Sequence, residues 1–223
     1  LIALQKEIEE LWSDRENAPE VSYYVLDLQD ERARENFIRN LDKTNVELLI
    51  NNAGYGHVGN FSDADIKWHL DMVELNVKAA IHLCHGFVSK MQQQKKGCII
   101  NVCSTASFQP MPYMSTYAAT KSFLRNFSVA LAKEVKKDGV HVMAHCPGPT
   151  ESEFFAVAGL KERMTYLPGM TAEKVAKQTL SAIKSRSLVV VNGLGNKFFA
   201  LLSSCLPLGV SATLVERALR RHR

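Results

Sequence analysis

The chain has 223 residues, 46% of them hydrophobic and 22% charged, the composition of an ordinary globular protein long enough for one domain with a sizeable core. Its net charge of +4 is unevenly placed: from Lys197 onward there are five basic residues and one acid, Glu216. The first 196 residues are therefore neutral, and nothing in the body marks a nucleic-acid partner.

In chain order, the sequence opens on an amphipathic helical pattern over 1–12, carried by Leu1, Leu4, Ile8 and Leu11. Apolar runs of strand length then alternate with helical stretches. The expected strands are 21–27, 46–51, 98–104, 140–146 and 187–192, and the expected helices lie near 30–41, 63–95, 114–137 and 171–185. Continuous apolar runs are what strands buried on both faces look like, and helices between them make crossovers. The predicted fold is α/β, a doubly wound, Rossmann-like parallel sheet in a single domain. Residues 1–193 form the expected core, including a lid over 150–170, and 194–223 form an apolar and basic helical tail whose last helix follows Pro207. No apolar run reaches the roughly 20 residues that span a bilayer, and no signal peptide is visible.

Cys84, Cys98, Cys103, Cys146 and Cys205 include no C-x-x-C pair. They read as free thiols in a reducing compartment, the cytoplasm, rather than as a disulfide or zinc framework. His82, Cys84 and His85 point in different directions on a helix, so no metal is expected there.

After the run 46–50 comes "NNAGYGHVG", in which Gly54, Gly56 and Gly59 have G-x-G-x-x-G spacing. A pyrophosphate loop of that pattern needs a helix opening inside it and an acid at the next strand end about 20 residues on. The next N-cap is expected at Ser62 or Asp63, past the loop, and Asp71 and Glu74 fall within a helical pattern. The glycines therefore read as a sharp loop that something approaches closely.

Tyr117 and Lys121 are spaced to share one face of a helix. Alone, such a pair is uninformative. Ser104 gives it weight, because it closes a predicted strand thirteen residues before Tyr117, where its hydroxyl can face the phenol. "PGPTES" follows another strand on the same edge.

"NNAG", Asn76 in "ELNV", Ser104, "YAATK" and "PGPTES", in that order and at those spacings, resemble the short-chain dehydrogenase/reductase family over the whole chain. The subgroup resembled includes ketoacyl and hydroxysteroid reductases. The resemblance implies an NAD(P)(H)-dependent oxidoreductase interconverting a carbonyl and a secondary alcohol, with NADP(H) in preference to NAD(H). It implies catalytic roles for Ser104, Tyr117, Lys121 and Asn76, the last completing a water relay with Lys121. Cofactor contacts carry over to Asp27, Leu28, Asn51, Ala53, Gly54, Tyr117, Lys121, Pro147, Gly148, Thr150 and Ser152, where Ser152 replaces the usual Thr. In the family the pyrophosphate loop is T-G-x-x-x-G-x-G after the first strand. That motif and the first βαβ unit are absent from the 223 residues, and the sequence is expected to be incomplete at its amino end.

The lid segment 153–170 is apolar through Phe154, Phe155, Val157, Leu160, Met164, Tyr166 and Leu167, and Met111, Pro112, Tyr113 and Met114 add to the same mouth. One reading is ordinary lid packing; the other is a lipophilic carbonyl substrate, fatty-acyl or steroid-like. By resemblance the helices near 63–95 and 114–137 assemble a homodimer or homotetramer, with Phe123, Phe127 and Leu131 as candidate contacts. The tail has two readings, a cover for the cleft or a subunit seam, and a peripheral contact with an anionic membrane. A cofactor-binding sensor or scaffold without turnover is the competing function, against which the joint presence of Ser104, Asn76, Tyr117 and Lys121 counts.

Overall fold

A computed structural model describes residues 1–13, 17–158 and 169–220. Four parallel strands form one sheet in the order β1-β2-β3-β4: β1 is Leu48–Asn51, β2 Gly97–Val102, β3 Val140–Cys146 and β4 Val189–Val191. β2 aligns Asn101 with Asn51 on one side and with Ala144 on the other. β3 is buried along its whole length. On one face Val140 and Val142 pack with Phe87 and Met91 of helix α4 (Ala80–Gln93) and Val135 of α5 (Ser115–Val135). On the other face His145 is bonded to Thr179 of α7 (Ala172–Lys184). Helices thus cover both faces at β3, the arrangement of a doubly wound sheet.

The helices start where short polar side chains can hold free backbone amides. Asp30 accepts from the amides of Arg32 and Ala33 at the head of α2 (Glu31–Asn40). Asp65, not Ser62 or Asp63, caps α3 (Ile66–Val73) by accepting from the Lys67 amide. Gly139, at φ +80°, turns the chain from α5 into β3; a Cβ there would lie 2.1 Å from the Lys95 carbonyl oxygen.

The expected helix 63–95 is α3 and α4 joined by a π-helical turn, Glu74–Ala79. Such turns re-aim side chains within a continuous helix, and this one contains the buried Asn76. The short helix α6 (Phe154–Val157) occupies the start of the expected lid.

The expected strand 21–27 does not form. A strand needs a hydrogen-bonded neighbour, and among the described residues no segment pairs with it: β1 pairs only with β2. Its apolar side chains are correspondingly open, Tyr23 and Val25 both being exposed, while Tyr24 meets the Phe37 ring edge-on at 5.4 Å. The tail is two helices, α8 (Leu194–Cys205) and α9 (Leu208–Arg220), separated at Pro207. Among the described residues no helix is long and apolar enough to cross a membrane.

Candidate active site

The carboxyl ends of β1, β2 and β3 bring together the predicted residues other than Asp27 and Leu28. The chain leaves β2 at Ser104, whose extended backbone opens a short 3-10 turn (Thr105–Phe108) and whose hydroxyl accepts from the Ala106 amide at 3.1 Å. The strands stay in register past their ends, since the Cys103 amide donates to His145 at 2.6 Å and the Thr105 amide to the Pro147 carbonyl at 2.9 Å. Ser104 and the Pro147–Thr150 loop are thereby held side by side.

Tyr117 and Lys121 lie in the first two turns of α5, both buried. The Lys121 ammonium is 5.9 Å from the Tyr117 ring centre and donates to the Val102 carbonyl at 2.7 Å. Burial pushes the Tyr117 phenol up to about 12, opposed by a hydrogen bond with the Ser104 side chain. Burial also pushes Lys121 down. Both shifts have one cause, the cost of a charge in a dry site.

Asn76 clamps the loop after β1 to α5. Its Oδ1 accepts from the Tyr55 amide at 3.1 Å, and its Nδ2 donates to the Tyr55 carbonyl at 2.9 Å and to Thr120 Oγ1 at 3.1 Å. Asn76 and Lys121 converge on Gly54, where a Cβ would stand 2.8 Å from Asn76 Oδ1 and 3.3 Å from Lys121 Nζ.

The glycine pattern is occupied by protein contacts. Besides the Tyr55 amide, the Val58 amide donates to Ala158 at 3.2 Å and the Gly59 amide to Tyr113 at 2.9 Å. A phosphate would need these amides free. Gly56 instead makes room for rings: its missing Cβ would lie 2.9 Å from Phe154 Cζ and 3.0 Å from Tyr117 Cδ2. Met72, Tyr55, Val58, Met111 and Phe154 pack around Tyr117 as an apolar cluster.

A sequence profile described as short chain dehydrogenase matches residues 2–163. The chain belongs to the short-chain dehydrogenase family. This short-chain dehydrogenase is 37% identical over 115 residues to a very-long-chain 3-oxoacyl-CoA reductase of Laccaria bicolor, covering 51% of this chain and 34% of the relative. It is 31% identical over 145 residues to the uncharacterized oxidoreductase YvrD of Bacillus subtilis, covering 65% of this chain and 54% of that one. The matches thus span between about a third and a half of these curated relatives. A solved short-chain dehydrogenase from Sphingobium yanoikuyae in complex with NADPH superposes with a TM-score of 0.81 at 25% identity, over 93% of this chain and 82% of that one.

The residues of this short-chain dehydrogenase fit a dinucleotide at the same edge. Asn51 Oδ1 is a buried acceptor with no donor among the described residues, the kind of atom a ligand satisfies. Thr150 and Ser152 are held by local bonds, Thr150 Oγ1 to Gly148 O at 3.0 Å and Ser152 Oγ to Thr150 O at 3.4 Å. Asp27 and Leu28 stand apart from the Ser104–Tyr117–Lys121 cluster. Asp27 is exposed and accepts from the Gln29 amide at 2.8 Å, and Leu28 packs on the main core. Ala53 is in the loop with Gly54. The side chain of Phe155 and residues Leu160, Met164, Tyr166 and Leu167 lie outside the described set.

Two participants escaped the sequence reading. Buried Arg34 donates to the Leu28 carbonyl, to His82 Nδ1 at 3.2 Å and to Glu74 at 3.0 Å. It shares a helix face with Phe37, Ile38 and Leu41, so an arginine on an apolar stripe was the available signal. Asn196 of α8 covers Gly148, where a Cβ would fall 2.2 Å from its Nδ2; nothing in its sequence context marks it. His82 is thereby engaged with Arg34, whereas Cys84 bonds Asn51 and Asn101.

Proposed function

We propose that the protein is an NAD(P)(H)-dependent reductase that interconverts a lipophilic ketone and its secondary alcohol, with a 3-oxoacyl thioester as the leading substrate class. One observation carries the reading: a buried phenol, Tyr117, lies beside the Ser104 hydroxyl and one turn from the Lys121 ammonium. The neutral phenol carries the proton that the carbonyl oxygen takes up, and a cation close to it brings its acidity nearer the working pH. Ser104 donates to the carbonyl oxygen and fixes it near the phenol. Lys121 and the Asn76 clamp hold the loop at Gly54 and the phenol in one geometry. When bound, the nicotinamide would supply the hydride, and Pro147, Gly148 and Thr150 would border it, with the loop of Asn51, Ala53 and Gly54 beside the adenosine and Asp27 and Leu28 toward the adenine.

The apolar cluster around Tyr117 supports a lipophilic substrate, and the ketoacyl reductases among its relatives support an acyl chain over a steroid. NADP(H) in preference to NAD(H) is supported by the NADPH in the Sphingobium relative. A homodimer through α5 is part of the same reading: Phe123 is exposed and stacks on Phe127 at 6.1 Å, offering a rigid apolar contact. Five free cysteines fit a reducing compartment, and work at a membrane's edge fits an acyl substrate.

The test is loss of NADPH or NADH absorbance with 3-oxoacyl-CoA esters of rising chain length and with hydroxysteroid ketones. Turnover that improves with chain length and prefers NADPH supports the proposal. Cofactor binding with no turnover across the panel overturns it in favour of a sensor or scaffold.

A further inference from the structure

In a water-exposed helix packed on a protein body, the apolar stripe faces inward. Helix α8 is arranged the other way round. Leu194, Phe198, Leu201 and Leu202 recur at helical spacing on one face and are 83%, 69%, 65% and 48% exposed. The side turned to the body carries the small residues Ala200 and Ser203, both buried. After Pro207, α9 has Ser211 buried and Leu208, Val210 and Leu214 exposed, with Val210 and Leu214 lining one groove beside Arg217. Lys197 and Arg217 are exposed on the same two helices.

We propose that this outward face of α8 and α9 rests on an anionic lipid bilayer. The helices have 12 and 13 residues, roughly 20 Å each at 1.5 Å per residue, too short to cross a hydrocarbon core of about 30 Å. An apolar face with basic residues suits a helix lying in the interface plane. Charge selects the occupant. From Lys197 onward the chain has five basic residues and one acid. Anionic headgroups complement that excess, whereas a two-fold contact with a second copy would set two such segments against each other. The face also adjoins the site's mouth, because Leu208 lines a groove of about 530 Å³ together with Pro110, Met111 and Pro112. The purpose of the contact rests on the lipophilic-substrate reading; the contact itself does not.

The test is co-sedimentation of the full chain with vesicles of phosphatidylcholine alone and of phosphatidylcholine with phosphatidylserine, without substrate or cofactor. The expected result is pelleting with the serine-containing vesicles that weakens in high salt. Phe198→Ser with Leu201→Ser should lower that binding at least tenfold, and Lys197→Glu with Arg217→Glu should remove the preference for anionic lipid, each with an unchanged circular dichroism spectrum. Folded full chain remaining in the supernatant with anionic vesicles at low salt overturns the proposal. So does a Phe198→Ser, Leu201→Ser variant that binds vesicles like the parent but has a smaller mass by light scattering, which makes the stripe a seam between copies. Turnover is read separately with a short, water-soluble ketone. Its failure beside intact vesicle binding strikes only the proposed activity.

Discussion

Gly56 lies against the ring of Tyr117, so close that a Cβ at residue 56 would come within 3.0 Å of Tyr117 Cδ2 and within 2.9 Å of Phe154 Cζ. The distance to Phe154 is one that real Cβ atoms essentially never show and the distance to Tyr117 is tighter than nearly all of them, so Phe154 must shift and Tyr117 must give by a few tenths of an ångström. Gly56→Ala should therefore lower kcat by about tenfold to a hundredfold, since small displacements of a proton donor are costly, while cofactor Kd stays near its original value. Gly59→Ala is the internal comparison. Its Cβ would meet only the far edge of the His57 ring, at 3.0 Å, and should change kcat by less than about threefold. If both variants instead weaken cofactor binding alike, the glycines hold a phosphate after all. Steady-state kinetics with fluorescence titration of NADPH decides.

Tyr117→Phe removes the proton donor and leaves the ring that Phe154 and Gly56 contact. The expected loss in kcat is about 10²-fold or more with cofactor affinity retained. Ser104→Ala should cost about as much through loss of an oriented donor to the carbonyl oxygen. It also leaves the Ala106 amide without its acceptor, so a modest loss of thermal stability should accompany it. Turnover like that of the parent in Tyr117→Phe would end the proposed mechanism.

The pH dependence has a defined sign. The phenol is raised to about 12 by burial and is neutral through ordinary pH. Ketone reduction consumes its proton, so reduction should hold level from roughly pH 6 to 9 and fall as pH rises through the phenol's pKa in the complex. Alcohol oxidation requires the phenolate and should rise over that same range. Lys121→Met removes the cation 5.9 Å from the ring and should move both limbs to higher pH. Profiles of kcat/KM in both directions check this; limbs of the same sign in the two directions would contradict it.

What sequence made legible follows from what is local. The runs at 98–104 and 140–146 became β2 and β3 because continuous apolar stretches have one use in a covered parallel sheet. The spacing of Tyr117 and Lys121 on a helix and the place of Ser104 at a strand end needed only period and order. The segment 21–27 has the same apolar look and is not a strand, because strand formation depends on a neighbour that a local pattern does not encode. The role of Gly56 was equally hidden, since Phe154 and Tyr117 meet it from distant parts of the chain. Asn76 was visible as a motif residue, but its clamp on Tyr55 and Thr120 depends on the π-helical turn, which has no clear local signature.

Arg34 gives the last prediction. Its guanidinium pins the Leu28 carbonyl to Glu74, at the start of the π-helical turn that carries Asn76. Glu74 is desolvated, yet hydrogen bonds from Lys78 and Arg34 hold its pKa below the ordinary carboxylate value. Arg34→Met keeps the length and packing of the side chain but leaves the Leu28 carbonyl without its donor and removes one of the two cations on Glu74. A lost charged hydrogen bond at a buried site costs about 1–3 kcal/mol, so Tm should fall. The informative readout is kinetic. The turn at Asp27 and Leu28 lies on the proposed adenine side, far from proton transfer. KM for NADPH should therefore rise about tenfold, with kcat at saturating cofactor within about twofold of the parent. Arg34→Lys, which can still reach one partner, should recover part of the KM. An equal fall in kcat and no change in KM would place Arg34 in the general stability of α2 and not in holding the cofactor loop.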